Sequence, residues 1–252
     1  MRSHDGPLIF AHRGACRVAP ENTLPAFQAA IDLGADGIEL DVQYSSDGKL
    51  VVIHNPTLEA TTDGQGRVTA HTLEELRRLD AGARFGPRFA GTPIPTLDEV
   101  LDLARGRLLV NIELKAFDTA TFGIGVDVVA RVLAHDMADQ VIISSFNPLA
   151  LRRAKQAGPQ IECALLTAPD LPGWMRSRPT LWLSRADSIH PEHPMVDEAY
   201  MAWARRRRMA VRPWTVNEEA DMRRLIALGV DALITDVPDV ARRLRDAVAS
   251  RA

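Results

Sequence analysis

Short aliphatic runs alternate along this chain with longer amphipathic stretches, almost from end to end. In the longer stretches apolar residues recur at three- and four-residue steps, which is typical of helices that cover one face of a sheet. Strands that alternate with such helices form a parallel sheet. The predicted strands are Leu8–Ala11, Gly37–Val42, Leu108–Leu114, Val141–Ser145, Ile161–Leu166, a sixth discussed below, Met209–Trp214 and Ala232–Asp236.

Two of the predicted strands need comment. The sixth is the least clear, and it is either Thr180–Leu183 or the stretch that ends at Ile189. A short partner strand, Leu50–Ile53, follows the turn Ser46-Asp47-Gly48, which is a hairpin signal. The predicted helices include Asn22–Leu33, Val126–His135, Leu149–Ala157, Glu218–Leu228 and Val240–Ala249.

One connection is much longer than the others and lies at about residues 55–95. It is polar and rich in turn residues, with one short helical candidate at Leu73–Leu79. A loop of about 40 residues is unusual inside a compact domain and is often functional. We interpret it as an insertion that folds over one end of the domain.

Eight strands and about eight helices in alternation favour a single (β/α)8 TIM barrel over residues 1–252, with a small insertion after the second strand. The alternative is an open doubly wound sheet. A glycine-rich phosphate loop is absent after the first strand, which weakens a nucleotide-binding fold.

Composition narrows the function classes. The 252 residues are 46% hydrophobic and 25% charged, which is typical of a globular protein. The net charge of −3 argues against a nucleic-acid partner. Apolar runs long enough to cross a membrane are absent, so we expect no stable membrane insertion. Cys16 and Cys163 predict two reduced thiols and a cytoplasmic protein.

Carboxylates mark the ends of two neighbouring strands. Glu39 and Asp41 lie two residues apart on the second strand, so both side chains point to one face. Glu113 and Lys115 have the same spacing near the end of the third. Barrel enzymes place their sites at these carboxyl ends. Three converging carboxylates repel one another, and oxygen ligands favour a hard cation, so we predict Mg²⁺ or Ca²⁺ bound by Glu39, Asp41 and Glu113.

Two histidines also end strands. His12 follows the first strand and is itself followed by Arg13, whereas His54 follows Leu50–Ile53. Two histidines beside a cation suit phosphoester cleavage, because one can accept a proton while the other donates one. Arg13 can bind phosphate oxygens with two nitrogens, and Lys115 can stabilise the developing charge. We expect solvated or helix-end roles for the remaining histidines: His4, His71, His135, His190 and His193.

The segments HRG, PENT, ELDV, VVIH and IELK occur in an order and spacing that resemble the glycerophosphodiester phosphodiesterase family. The resemblance extends from about residue 8 to 245. It implies a (β/α)8 barrel that hydrolyses glycerophosphodiesters to sn-glycerol 3-phosphate and an alcohol with one divalent cation. It assigns His12 and His54 to acid/base catalysis, Glu39, Asp41 and Glu113 to the metal, Arg13 and Lys115 to phosphate, and Trp214 to the glycerol end of the substrate.

Three positions qualify the resemblance. Many family members have aspartate where this chain has Asn55. The pH optimum therefore depends on whether the residue at this position only orients His54 by a hydrogen bond or also raises its pKa by a negative charge. Glu21 is expected to support the metal or the site geometry. Asn22 is expected to cap the first helix.

Two other functions remain as alternatives: a phospholipase D-like or lysophospholipid phosphodiesterase, and a catalytically silent phosphate-binding module. The stretch Pro169–Pro179 is either an exposed loop near the barrel mouth or a dimer contact, so a homodimer stays open. The expected partner is a small-molecule glycerophosphodiester.

Overall fold

Eight strands lie parallel in one sheet that curls into a nearly closed barrel. The structure is a computed structural model that describes residues 6–116 and 123–249. Its strands are β1 (Leu8–Ala11), β2 (Gly37–Tyr44), β3 (Leu50–Val52), β4 (Leu109–Leu114), β5 (Val141–Ser145), β6 (Glu162–Thr167), β7 (Ser188–Pro191), β8 (Ala210–Val211) and β9 (Ala232–Thr235). The strand order is β8-β7-β6-β5-β4-β2-β1-β9, and β3 pairs with β2 in the antiparallel direction.

Backbone hydrogen bonds also connect the two ends of this strand order. The Asp231 N–H donates to the Val211 carbonyl at 2.9 Å, and the Ile234 N–H donates to the Pro213 carbonyl at 3.0 Å. An open sheet has no such contacts between its outermost strands. The predicted barrel is therefore confirmed, and the doubly wound alternative was wrong.

Helices follow the strands along the chain and pack around the outside of the barrel. They are α1 (Leu24–Asp32), α2 (Leu73–Leu76), α3 (Leu97–Ala104), α4 (Ile124–Ala134), α5 (Pro148–Ala157), α6 (Arg178–Ser184), α7 (Glu198–Arg206), α8 (Glu219–Leu228) and α9 (Pro238–Ala249). Within the described ranges, none of these helices has the length and apolar character needed to cross a membrane.

Side chains alternate between two environments along each strand, because successive residues point to opposite faces. Outward-facing residues such as Ile38, Leu40 and Ile112 join the core between sheet and helices. The barrel interior holds a separate apolar cluster made of Phe10, Ile142, Ala164, Ala232 and Ile234. The inward positions nearer the carboxyl ends are polar, and they form the site described below.

The connection from β3 to α3 packs around its own small apolar cluster. Its buried members include Leu58, Val68, Leu76 and Ile94, which pack with Val51 of β3. The Val52 N–H donates to the Pro95 carbonyl at 2.9 Å and ties the end of the segment to the barrel. The interpretation of residues 1–252 as one domain with an insertion at about 55–95 stays a prediction.

Two predicted strands need correction. Thr180–Leu183 lies inside α6, and the sixth barrel strand is β7, so the alternative that ends at Ile189 was closer, although the strand continues to Pro191. A short apolar run does not distinguish strand from helix, and the preceding Pro179 favours a helix start. The seventh strand is also shorter than predicted: Pro213, whose carbonyl faces β9, has no N–H to donate to that strand, and Trp214 pairs with Glu192 only as an isolated bridge.

The predicted cap of the first helix was wrong. Thr23 is the N-cap of α1, and its side chain accepts a hydrogen bond from the Ala26 N–H. Asn22 precedes it with a φ of 57°, in the left-handed region that asparagine tolerates better than most residues. Its side chain points toward the barrel instead, where it forms a hydrogen bond with Asp41.

Candidate active site

Three carboxylates meet at the carboxyl end of the barrel. Glu39 and Asp41 lie on β2, and Asp41 pairs in register with Glu113 on β4. One oxygen from each of the three lies within 4.8 Å of the others. Glu39 and Asp41 are buried, while the Glu113 side chain is 13% exposed. The structure thus brings together the three residues that the strand spacing selected.

The charge of this cluster is only partly balanced. Lys115 Nζ lies 2.9 Å from an Asp41 oxygen and 2.5 Å from a Glu113 oxygen. Burial raises the pKa of Asp41, but the positive charge of Lys115 and of the other nearby cations outweighs burial, so the net pKa is lowered. Burial and the neighbouring Asp41 carboxylate instead raise the pKa of Glu39. A cluster of buried oxygens with negative charge in excess is a donor set that fits a hard divalent cation.

His12 lies between the acidic cluster and a fourth carboxylate. Its Nδ1 is 2.7 Å from an Asp236 oxygen, and its Nε2 is 3.9 Å from a Glu39 oxygen. Asn217 donates to the other Asp236 oxygen at 2.8 Å and fixes that carboxylate. Burial lowers the pKa of His12, but the hydrogen bond to Asp236 and the charge of Glu39 outweigh burial, so the net pKa is raised.

His54 stands in a different electrostatic environment. Burial lowers its pKa, and the positive charges of Lys115 and Arg13 act in the same direction. Its Nδ1 lies 2.7 Å from the Asn55 side-chain oxygen. The buried Gln43 amide lies within 3.0 Å of the carbonyl oxygens of residues 53–55 and holds the segment in place. The two histidines therefore differ in the direction in which their surroundings shift the pKa.

We expect Asn55→Asp to move the limb of the kcat/KM pH profile that reports His54 to higher pH. The added carboxylate would favour the imidazolium, and an opposite charge at this range shifts a pKa by about one pH unit or more. The measurement is the pH dependence of kcat/KM for both proteins. Gln65→Glu adds the same charge at an exposed position of the insertion and is the matched control. An unmoved profile in Asn55→Asp would show that the charge does not reach the titrating histidine.

Arg13 reaches the same carboxylates from the turn after β1. Its φ of 55° is unusual for a residue with a side chain, and it directs the backbone N–H to a Glu39 oxygen at 3.0 Å. The guanidinium lies 3.5 Å from Asp41 and 3.0 Å from Glu21. Glu21 thus positions Arg13, and it does not belong to the carboxylate cluster of the described residues.

A cavity of about 240 Å³ opens beside these groups. Trp214 lines it, with its indole nitrogen donating to the His190 carbonyl at 2.8 Å. Phe146 packs edge-on against Trp214 with ring centroids 5.7 Å apart. Asn111 Oδ1 and Ser144 Oγ are buried here without a hydrogen-bond partner among the described residues. Buried polar atoms of this kind need a ligand or water to satisfy them.

Sequence reasoning missed or misassigned four residues at this site. Asn22 donates to Asp41 at 2.8 Å instead of capping a helix. Asp236 was assigned only to the end of the last strand, although a carboxylate there occupies the same kind of position as Glu113. Asn111 precedes Glu113 by two residues and shares its face, which is a signal that could have been read. Ser144 carries no signal beyond its place on the next strand.

The structure also tests the expectations for His190 and Cys16. His190 was expected to have a solvated or helix-end role, but it lies fully buried on β7, where burial and Arg212 lower its pKa. Cys16 contacts Asp236, and burial together with that carboxylate raises the pKa of the thiol to about 12, which opposes a nucleophilic role. His4 lies outside the described residues.

Comparison with known proteins finds one family along most of this chain. A model of the "Glycerophosphoryl diester phosphodiesterase family" matches residues 12–240. A glycerophosphodiester phosphodiesterase of Caldanaerobacter subterraneus subsp. tengcongensis is 43% identical over 235 residues, which are 92% of this chain and 95% of the relative. One from Bacillus altitudinis is 38% identical and covers 94% of this chain and 98% of its own length.

Solved structures agree with these matches. A putative glycerophosphoryl diester phosphodiesterase from Silicibacter pomeroyi superposes with a TM-score of 0.87 at 29% identity, covering 98% of this chain and 96% of that one. A phosphodiesterase of Oleispira antarctica, solved in complex with the product sn-glycerol-3-phosphate, has a TM-score of 0.83 at 29% identity. That alignment covers 96% of this chain and 97% of the other.

Proposed function

Because the chain belongs to the glycerophosphoryl diester phosphodiesterase family, we propose that it hydrolyses glycerophosphodiesters to sn-glycerol 3-phosphate and an alcohol with the help of one divalent cation. The observation that carries the proposal is that two histidines and two carboxylates of the acidic cluster line a single cavity. They are His12, His54, Glu39 and Glu113. Such a set can move protons and balance phosphoryl charge at one place.

Glu39, Asp41 and Glu113 would hold the cation, and their oxygen-only chemistry suits Mg²⁺ or Ca²⁺. When bound, a divalent cation neutralises charge that develops on the phosphoryl oxygens. Arg13 and Lys115 would contact the phosphate, since both are cations at the edge of the same cavity. Both already contact carboxylates of the cluster, which keeps them in place before the substrate arrives.

His12 and His54 would act as the acid/base pair. Asp236 accepts from His12 Nδ1, which leaves Nε2 to exchange a proton, and Asn55 can do the same for His54. Because the surroundings of His12 raise its pKa while those of His54 lower it, His12 is favoured as the proton donor and His54 as the acceptor.

The glycerol end of the substrate would occupy the inner part of the cavity. The faces of Trp214 and Phe146 can cover the CH₂ groups of glycerol, and the unpaired Asn111 Oδ1 and Ser144 Oγ can hydrogen-bond its hydroxyls. This arrangement supports a small-molecule substrate. A homodimer and a cytoplasmic location stay predictions.

The direct test measures sn-glycerol 3-phosphate released from glycerophosphocholine before and after EDTA treatment. We expect EDTA to abolish release and added Mg²⁺ or Ca²⁺ to restore it, because three buried carboxylates without a cation repel the phosphate. Release that is unaffected by EDTA would contradict the metal requirement. Phosphate binding without turnover, under either metal, would favour a catalytically silent module instead.

A further inference from the structure

A second cavity, of about 420 Å³, adjoins the catalytic one, and Glu113, Lys115 and Phe146 line both. We call it the outer groove. Beyond the shared residues its walls are mainly apolar side chains, contributed by Leu149 of α5, by Leu183 of α6 and by Trp174 and Met175, which precede α6 in the chain. The outer groove is thus a continuation of the site toward the surface.

The apolar rim of the outer groove is exposed. Trp174 is 64% and Leu149 is 40% exposed, although large apolar side chains normally avoid water. Exposed apolar residues grouped beside a polar pocket mark a binding surface more often than a chance arrangement. The stretch Pro169–Pro179 was expected to lie near the mouth or at a dimer contact, and Trp174 and Met175 lie beside the mouth.

Hydrogen bonds hold the backbone at Trp174 in place. The hydroxyls of Ser177 and Thr180 both donate to the Trp174 carbonyl, at 2.5 and 2.6 Å. The Met175 N–H donates to the Pro172 carbonyl at 2.8 Å and closes the turn. The backbone that carries Trp174 at the rim of the outer groove is therefore fixed by three hydrogen bonds.

The two cavities differ in their hydrogen-bonding capacity. The catalytic cavity, which we also call the inner cavity, contains the unpaired Asn111 Oδ1 and Ser144 Oγ, which suit a polyol. In the outer groove the polar side chains already have partners: Ser145 Oγ donates to the Leu114 carbonyl at 2.9 Å, and Asn147 caps α5. A hydroxylated ligand therefore gains more from the inner cavity, and a hydrocarbon chain gains more from the outer groove.

A phosphodiester has two arms that leave the phosphate in different directions. Lys115, a proposed phosphate contact, stands where the two cavities meet. A phosphate bound there can extend its glycerol arm into the inner cavity and its alcohol arm along the outer groove. The geometry therefore separates a polyol subsite from an apolar subsite for the leaving alcohol.

We infer that the outer groove binds a hydrocarbon substituent on the leaving alcohol, so that the substrate class includes glycerophosphodiesters of alkyl alcohols. The inference rests on the proposed function. In the reaction the P–O bond to the alkanol breaks, a P–O bond from water forms, and the alkanol leaves with one proton. The products are sn-glycerol 3-phosphate and the free alkanol.

The test uses glycerophosphoalkanols with ethyl, butyl, hexyl and octyl chains, at concentrations where they stay monomeric. We expect kcat/KM to rise roughly ten-fold or more from ethyl to hexyl, since each fully buried methylene is worth about four-fold. Trp174→Ser and Leu149→Asn should flatten this dependence on chain length. Trp182→Ser is the matched control, because Trp182 is 79% exposed on α6 and does not line the outer groove.

The outcomes separate this inference from the proposed function. If ethyl is cleaved but chain length has no effect, the inference is overturned and the phosphodiesterase activity stands. An equal flattening in Trp182→Ser would also overturn it. A rise in kcat/KM with chain length that is seen only when the alkyl group is attached to the glycerol would overturn the inference as well. No release from any member of the series, with metal present, would overturn the inference, and it would overturn the proposed function as well only if glycerophosphocholine is not cleaved either.

Discussion

Replacing His12 by alanine is expected to lower kcat by about 10²- to 10⁴-fold while the protein still folds. His12 lines the catalytic cavity and is held by Asp236, so its loss removes the group that we propose as the proton donor. Steady-state kinetics on glycerophosphocholine measure the effect, and circular dichroism checks the fold. His71→Ala is the matched control, because His71 lies in the insertion and does not line the catalytic cavity.

Asp236→Asn should give a smaller loss with a diagnostic pH profile. Without the carboxylate, the pKa of His12 falls, because the hydrogen bond and negative charge that raise it are weakened. The limb that reports His12 should then move to lower pH, which a purely structural defect would not produce. A near-normal rate in His12→Ala would remove that residue from the acid/base role.

Lys115→Met is expected to lower the free energy of unfolding by about 3 kcal/mol in EDTA, because removing one member of a buried ion-pair network leaves the others uncompensated. The ammonium contacts both Asp41 and Glu113, and its side chain is only 9% exposed. The same change removes the ammonium that competes with a cation for the Asp41 and Glu113 carboxylates. Ca²⁺ or Mg²⁺ should therefore raise the thermal midpoint of the variant by more than that of the original protein.

Thermal unfolding with EDTA and with each cation measures both parts of this expectation. Lys155→Met is the matched control, since Lys155 pairs with Asp187 at 2.7 Å outside the carboxylate cluster. It should lose stability without an enlarged response to metal. An identical metal-induced shift in Lys115→Met and the original protein would contradict the placement of the cation beside Lys115.

Much of the candidate site could be predicted because its geometry follows from strand periodicity. Glu39 and Asp41 share a face by their two-residue spacing, and parallel neighbours bring Glu113 to the same end of the barrel. The positions of His12 and His54 follow from the strands that precede them. These residues depend on local spacing and on one topological rule, both of which are readable in a single chain.

Other features depend on contacts between distant residues. Asp236 meets His12 across 224 positions of sequence, and no local pattern indicates which carboxylate orients which histidine. Asn22 and Thr23 are both good capping residues, and the contact of Asn22 with Asp41 decides between them. The sixth strand was ambiguous because Thr180–Leu183 and Ser188–Pro191 are both short apolar runs near one connection.

By itself, the sequence determined the alternation of strands and helices and the acidic cluster at the strand ends, because periodicity and strand-end spacing are local properties. Only the tertiary structure decided how the charges are shared. It placed Lys115 between two carboxylates and gave His12 and His54 opposite pKa shifts. It also joined an apolar groove to the catalytic cavity through residues far apart in the chain. Burial and electrostatic energy depend on what surrounds a group in space, and the folded chain alone sets those surroundings.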